Sequence, residues 1–195
     1  SDMFLSQATV VSTRGRNSPE QVYRTHSRDL LVDAPVAVLV NGYSASASEI
    51  VAGAIKDNDR GLIVGKTTFG KGSVQSILPL GRDQGALKLT TAKYYTPSGV
   101  SIEKTGVQPH IEVELSDEEN RTLAREISSE NGYPPVRDKE SETEGEQNAL
   151  PADANEKEEE EEPFRDEQLN RAIDALKAVL VERRMFTPKS TQRDG

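Results

Sequence analysis

Six consecutive residues, Ser44-Ala45-Ser46-Ala47-Ser48-Glu49, stand between a short apolar run and a stretch of helical periodicity. A serine at the mouth of a helix is placed for nucleophilic attack, because the N–H groups of the first turn stabilise negative charge that develops beside it. Alanines on either side of Ser46 leave its hydroxyl accessible. The same residues also satisfy a structural reading. Ser46-x-x-Glu49 matches a capping box, and Ser44 could cap equally well.

A nucleophilic serine needs a base. The chain has two histidines, His26 in a polar stretch and His110 after Pro109, and neither stands at a recognisable strand end, so a Ser-His-Asp triad has little support. Lys71, in Thr68-Phe69-Gly70-Lys71-Gly72, is the other candidate. A lysine works as a base only when burial away from anions favours its neutral form. No acidic residue stands between Arg60 and Arg82, which agrees with that need, while an exposed loop lysine is the alternative. Gln75, four residues on, could hold the amine without adding charge. Residues 65–71 also match the first seven positions of a phosphate loop. The eighth position is Gly72, and the residues after it read as a strand instead of the required helix, which argues against nucleotide binding.

These residues need a scaffold. Residues 36–40, Val-Ala-Val-Leu-Val, form a β-branched apolar run bounded by Pro35 and Asn41-Gly42, which predicts a strand buried on both faces. Ile50, Val51, Ala54 and Ile55 predict a helix over about 46–57, and residues 62–64 a second buried strand. Strand, helix, strand predicts a right-handed crossover in a largely parallel sheet. A β-like stretch at 8–13 precedes a polar segment at 14–33. Strands are expected at 74–78 and 86–95, an edge strand at 111–113, a helix at 117–129, and an amphipathic helix marked by Leu169, Ile173, Leu176, Val179 and Leu180.

Charge is concentrated in one place. Residues 137–162 carry 12 acidic and 3 basic side chains, which equals the net charge of −9 for all 195 residues, so the remainder is neutral. Like charges keep such a stretch extended, and it is expected to be a disordered, solvated spacer. No Lys or Arg excess exists to neutralise phosphates, so nucleic acid is not an expected partner. With no cysteine there are no disulfides and no thiol ligands. The absence of a starting Met and of a signal peptide predicts a fragment whose natural N-terminus lies upstream of Ser1.

Residues 35–113 closely resemble the carboxyl-terminal processing proteases, also called tail-specific proteases. The matching segments are Val38-Leu39-Val40-Asn41-Gly42, Ser44 through Ile50, Val64-Gly65 with Thr68-Phe69-Gly70-Lys71-Gly72-Ser73-Val74-Gln75, Leu87 through Gly99, and Gly106-Val107-x-Pro109. The resemblance implies a crotonase-like α/β protease core truncated at its N-terminus, followed by a disordered acidic segment and a C-terminal helix. It implies Ser46 as nucleophile, Lys71 as base, Gln75 as the residue orienting the lysine, and the Ala47 N–H as one oxyanion donor. It further implies a serine endopeptidase acting on proteins with apolar C-terminal tails, without metal or nucleotide cofactor, in the bacterial cell envelope, and it leaves a homo-oligomer open.

The expected organisation is a core part at 1–115, a helical or irregular extension at 116–136, the acidic linker at 137–162 and a C-terminal helix and tail at 163–195. The family's upstream PDZ domain and second oxyanion donor would precede Ser1. Tyr43 replaces a residue that is commonly small, and His110 one that is commonly Asp. The chain is therefore expected to be weakly active or inactive alone. A noncatalytic binding or scaffold fragment with an exposed Lys71 stays open, and an acyl-CoA enzyme of crotonase type is a third reading that shared fold alone does not support.

Overall fold

The computed structural model describes residues 1–16, 18–27, 30–81, 84–130 and 165–186. The acidic segment predicted at 137–162 and the tail after 186 lie outside them. The chain divides into two units, one of residues 1–114 with the segment from Gln168 onward, the other of Leu115–Glu167.

The first unit is mixed α/β. Strand β1 (Thr9–Gly15) pairs antiparallel with β2 (Gln21–Arg24). Strand β3 (Val36–Val40) leads through a turn into helix α1 (Ala47–Asp57), which returns to β4 (Gly61–Gly65), parallel to β3. Strands β5 (Ser73–Pro79) and β6 (Ala86–Tyr95) pair antiparallel, and the two-residue β7 (Ile111–Glu112) lies parallel to β4. Two sheets result, an antiparallel one in the order β2-β1-β6-β5 and a parallel one in the order β3-β4-β7.

Apolar spacing explains why α1 lies on the parallel sheet. Ala52 and Ile55 from the helix, Val40 and Ile63 from β3 and β4, and Val107 from the loop before β7 form one buried cluster, with Phe4, Val38 and Val51 packed against it. The strand, helix, strand expectation is met. Its burial is not, because β3 is an edge strand whose Leu39 is 40% exposed, while β4 between two neighbours buries Ile63 and Val64 completely. A parallel strand is covered on both faces only when it lies inside a sheet that is itself covered.

Two further elements depart from the sequence expectation. Strand β2 occupies the segment read as merely polar, and all four of its residues are exposed. Helix α3 (Glu167–Phe186) forms as expected, but its inward face is shifted from the expected one. Gln168 and Ala172 are buried and the expected Leu176 and Val179 half-buried, with the Gln168 amide donating to the Val113 carbonyl at 2.9 Å, whereas Leu169, Ile173 and Leu180 are exposed.

The hairpin of β5 and β6 outgrows its sheet. Strand β1 pairs with β6 from Ala92 to Tyr95, so, among the described residues, 86–91 have β5 as their one strand neighbour. The far half is a two-stranded ribbon that carries Leu78 opposite Leu87 and Ser76 opposite Leu89 on one face, with the three leucines exposed. In the second unit, α2 (Asp117–Glu130) starts at Ser116, whose hydroxyl accepts from the Glu119 N–H at 3.2 Å while the Glu119 carboxylate accepts from the Ser116 N–H at 2.7 Å. That reciprocal pair is a capping box.

Asp57, the last residue of α1, joins the helix to the turn after β6. Burial pushes its carboxyl up, but hydrogen bonds from the Ser98 hydroxyl, the Thr96 hydroxyl and the Ser98 N–H outweigh it and hold the group below its ordinary value of 3.8. A depressed carboxyl stabilises the fold above its unfolded value, and that stabilisation disappears as pH falls through the folded value. Ser98→Ala is thus expected to cost about 1 kcal/mol at neutral pH. Urea midpoints of wild type and variant should converge as the pH is taken below 3.8.

Candidate functional site

The turn between β3 and α1 is built on Asn41. Its side-chain carbonyl accepts from the Tyr43 N–H at 3.0 Å, its backbone N–H donates to Ser44 Oγ at 3.1 Å, and its carbonyl accepts from the Ser44 N–H at 3.0 Å. Ser44 is therefore engaged in the turn itself. Ser46 takes the N-cap position of α1, with φ 59° and ψ −114°. That conformation disfavours any residue with a Cβ and costs of order 1–3 kcal/mol. The next residue, Ala47, opens the helix, where N–H groups have no partner within the helix. The Ala47 N–H has no acceptor among the described residues.

Glu49 holds the turn in place. Its side chain is completely buried. Its Oε2 accepts from the Ser46 N–H at 2.8 Å and from the Lys71 N–H at 2.9 Å. Its Oε1 accepts from the Thr68 hydroxyl at 2.5 Å and from the Gly70 N–H at 2.7 Å. Four donors fill the four lone-pair sites that a carboxylate offers. One side chain thus ties the Ser46 turn to the loop that carries Lys71. In the sequence Glu49 looks like a capping residue and nothing more. The available signal is that Ala52 and Gly53, three and four positions on, are small, which marks a closely packed helix face on which a glutamate would be enclosed.

The other side of the Lys71 loop is held by the segment after β6. The Gly72 N–H donates to Glu103 Oε2 at 3.1 Å, and the Lys104 N–H donates to the Gly70 carbonyl at 2.8 Å. Both flanking glycines are demanded by this contact. Gly70 has φ 86°, and a Cβ on Gly72 would lie 2.3 Å from the Glu103 nitrogen. The sequence window from Arg60 to Arg82 contains no acid, yet the fold brings two carboxylates to the backbone of Lys71 and its neighbour from outside it.

The Lys71 side chain is exposed, contrary to the burial that a neutral amine needs, and it makes no hydrogen bond to Ser46 Oγ or to Gln75 among the described residues. Gln75 is exposed on β5, just after an irregularity in the register between Val74 and Gln75, and it pairs with Thr90. The backbone of the candidate pair is fixed while the amine stands in solvent.

Neither histidine reaches Ser46. His26 pairs with Asp2 at 2.8 Å, and His110 Nδ1 accepts from the Ile63 N–H at 3.0 Å, extending the pairing of β4. Two aromatic side chains do flank the site. The Phe69 N–H donates to the Ser44 carbonyl at 3.0 Å, which sets Tyr43 and Phe69, 74% and 65% exposed, on adjoining segments beside Ser46. Among the described residues there is no group of three or more side chains suited to a metal ion, and no helix long and apolar enough to cross a membrane.

Comparison with known proteins bears on the same segment. The model for peptidase family S41 matches residues 1–113. The carboxy-terminal-processing protease of Bartonella bacilliformis is 56% identical over 115 residues, which cover 58% of this chain and 26% of that protein. The carboxyl-terminal-processing protease of Synechocystis is 42% identical over 112 residues, covering 57% of this chain and 26% of the relative. The solved structure of a photosystem II D1 C-terminal processing protease superposes with a TM-score of 0.55 at 38% identity, covering 58% of this chain and 29% of that one. The chain thus spans about a quarter of the length of these curated relatives.

The conformation of Ser46 can be tested without any assay of activity. Glycine pays no steric cost at this φ and ψ, so Ser46→Gly should be more stable than Ser46→Ala by about 1 kcal/mol in urea unfolding. Equal stability of the two variants would mean that the backbone there is unstrained.

Proposed function

The chain belongs to peptidase family S41, and from that premise we propose that it carries the Ser46–Lys71 catalytic pair of a carboxyl-terminal processing endopeptidase with a crotonase-like core. Ser46 Oγ attacks the scissile carbonyl while Lys71 Nζ takes its proton, and the Ala47 N–H receives the oxyanion. Lys71 then gives that proton to the leaving amine. Water, deprotonated in turn by Lys71, hydrolyses the acyl-enzyme and restores the serine. Gln75 steadies the amine without adding charge, and no metal or nucleotide takes part.

One observation carries this reading. Two residues 25 positions apart in sequence donate their backbone N–H groups to the same buried carboxylate oxygen, Glu49 Oε2. A linkage of that kind holds a reacting pair in register, and positional error is costly for catalysis. The strained Ser46 backbone and the unpaired Ala47 N–H support the same assignment. Exposed Tyr43 and Phe69 offer apolar surface for a substrate tail beside the nucleophile.

The exposed Lys71 amine favours a second reading, in which this polypeptide alone is weakly active or acts as a noncatalytic binding piece. One experiment tests the catalytic pair. In the intact protein, Ser46→Ala should lower cleavage of a substrate with an apolar C-terminal tail by at least about 10³-fold, with the thermal unfolding temperature unchanged. Lys71→Ala should behave in the same way. Cleavage that survives Ser46→Ala rules out the serine mechanism.

A further inference from the structure

Three of the four donors on Glu49 are backbone N–H groups of the two loops that need to be positioned. The fourth is different. Thr68 is buried at 5% exposure, and its Oγ1 donates to Glu49 Oε1 at 2.5 Å while accepting from the Val107 N–H at 2.7 Å. The Thr68 N–H in turn donates to the Val107 carbonyl at 3.2 Å. Val107 belongs to the buried cluster beneath α1.

We propose that Thr68 is a positioning residue whose hydroxyl, aimed by the Val107 N–H, fixes the Glu49 carboxylate and through it both the Ser46 turn and the Lys71 loop. A hydroxyl has one proton to give. With the Val107 N–H occupying a lone pair, that proton is directed at the carboxylate, and donors linked in series polarise one another. The β-branched side chain adds a stiff χ1, so the hydroxyl does not swing away. The two glutamate-bound loops are thereby referenced to the hydrophobic core instead of only to each other. The catalytic consequence rests on the peptidase reading above, but the positioning itself does not.

The test compares wild type, Thr68→Val and Thr68→Ser by residue-resolved amide hydrogen exchange on this chain. Valine keeps the volume and removes the hydroxyl, so exchange at Ser46, Gly70 and Lys71 should rise about tenfold while Ile55 and Ile63 stay protected. Thr68→Ser should restore wild-type protection. A change confined to Val107, a uniform loss of protection that includes Ile55 and Ile63, or a serine variant that behaves like valine would each overturn the proposal. A second readout separates it from the reading it rests on. Labelling of Ser46 by a fluorophosphonate, followed by intact mass, should slow about tenfold in Thr68→Val and recover in Thr68→Ser. Wild-type protein that never labels, with the exchange contrast intact, would leave Thr68 in its role and favour the reading in which this polypeptide alone is inactive. Unchanged labelling in Thr68→Val would do the reverse.

Discussion

A buried carboxylate must be satisfied by donors, and in this chain that requirement shapes the whole site. Glu49 sits on the inward face of α1, where water cannot reach it, so the fold has to deliver hydrogen-bond donors to it. It does so from two segments far apart in sequence. Each donor is drawn from a place that matters to the proposed chemistry. The cost of leaving any one of them unmade is what holds the Ser46 turn and the Lys71 loop at a fixed separation.

The surroundings follow from that centre. Helix α1 must start where Ser46 can cap it and Glu49 can reach back, so β3 has to end at Val40 and turn through Asn41. The Lys71 loop must pass close to the segment after β6, which leaves room for only glycine at position 72. The helix itself is held on β4 by Ala52, Ile55 and Ile63 and at its last residue by Asp57 on Ser98. Packing, turn chemistry and polar satisfaction point the same way, which is the consistency expected of a well-specified fold.

Much of this arrangement is legible in the sequence, and what is not has physical causes. Strand β3, helix α1, strand β4 and the β5–β6 hairpin follow from apolar periodicity that a single segment displays. Strand β2 shows no such pattern, because all its residues face solvent and only its pairing with β1 defines it. The inward face of α3 is legible only in part, at half-buried Leu176 and Val179, for a related reason. Its leucines and isoleucine outrank Gln168 in hydrophobicity, yet the Val113 carbonyl gives Gln168 a partner and makes its burial tolerable. At the site, Ser46, Ala47, Lys71 and Gln75 stand out by motif. Glu49 as a hub, Glu103 on Gly72 and Thr68 between Glu49 and Val107 do not, since each depends on which segments the fold brings together.

The overhanging half of the β5–β6 hairpin has a consequence of another kind. Among the described residues, 86–91 have no second strand neighbour and β5 is an edge, so backbone donors and acceptors stand open along both sides of a ribbon that also shows leucine on one face. Such an edge is a template for unwanted strand addition between molecules. Pro79, which cannot donate, ends β5, and Lys88 and Lys93 interrupt β6 with charge. Pro79 and Lys88 stand on this ribbon as gatekeepers against such pairing, away from the chemistry proposed around Ser46.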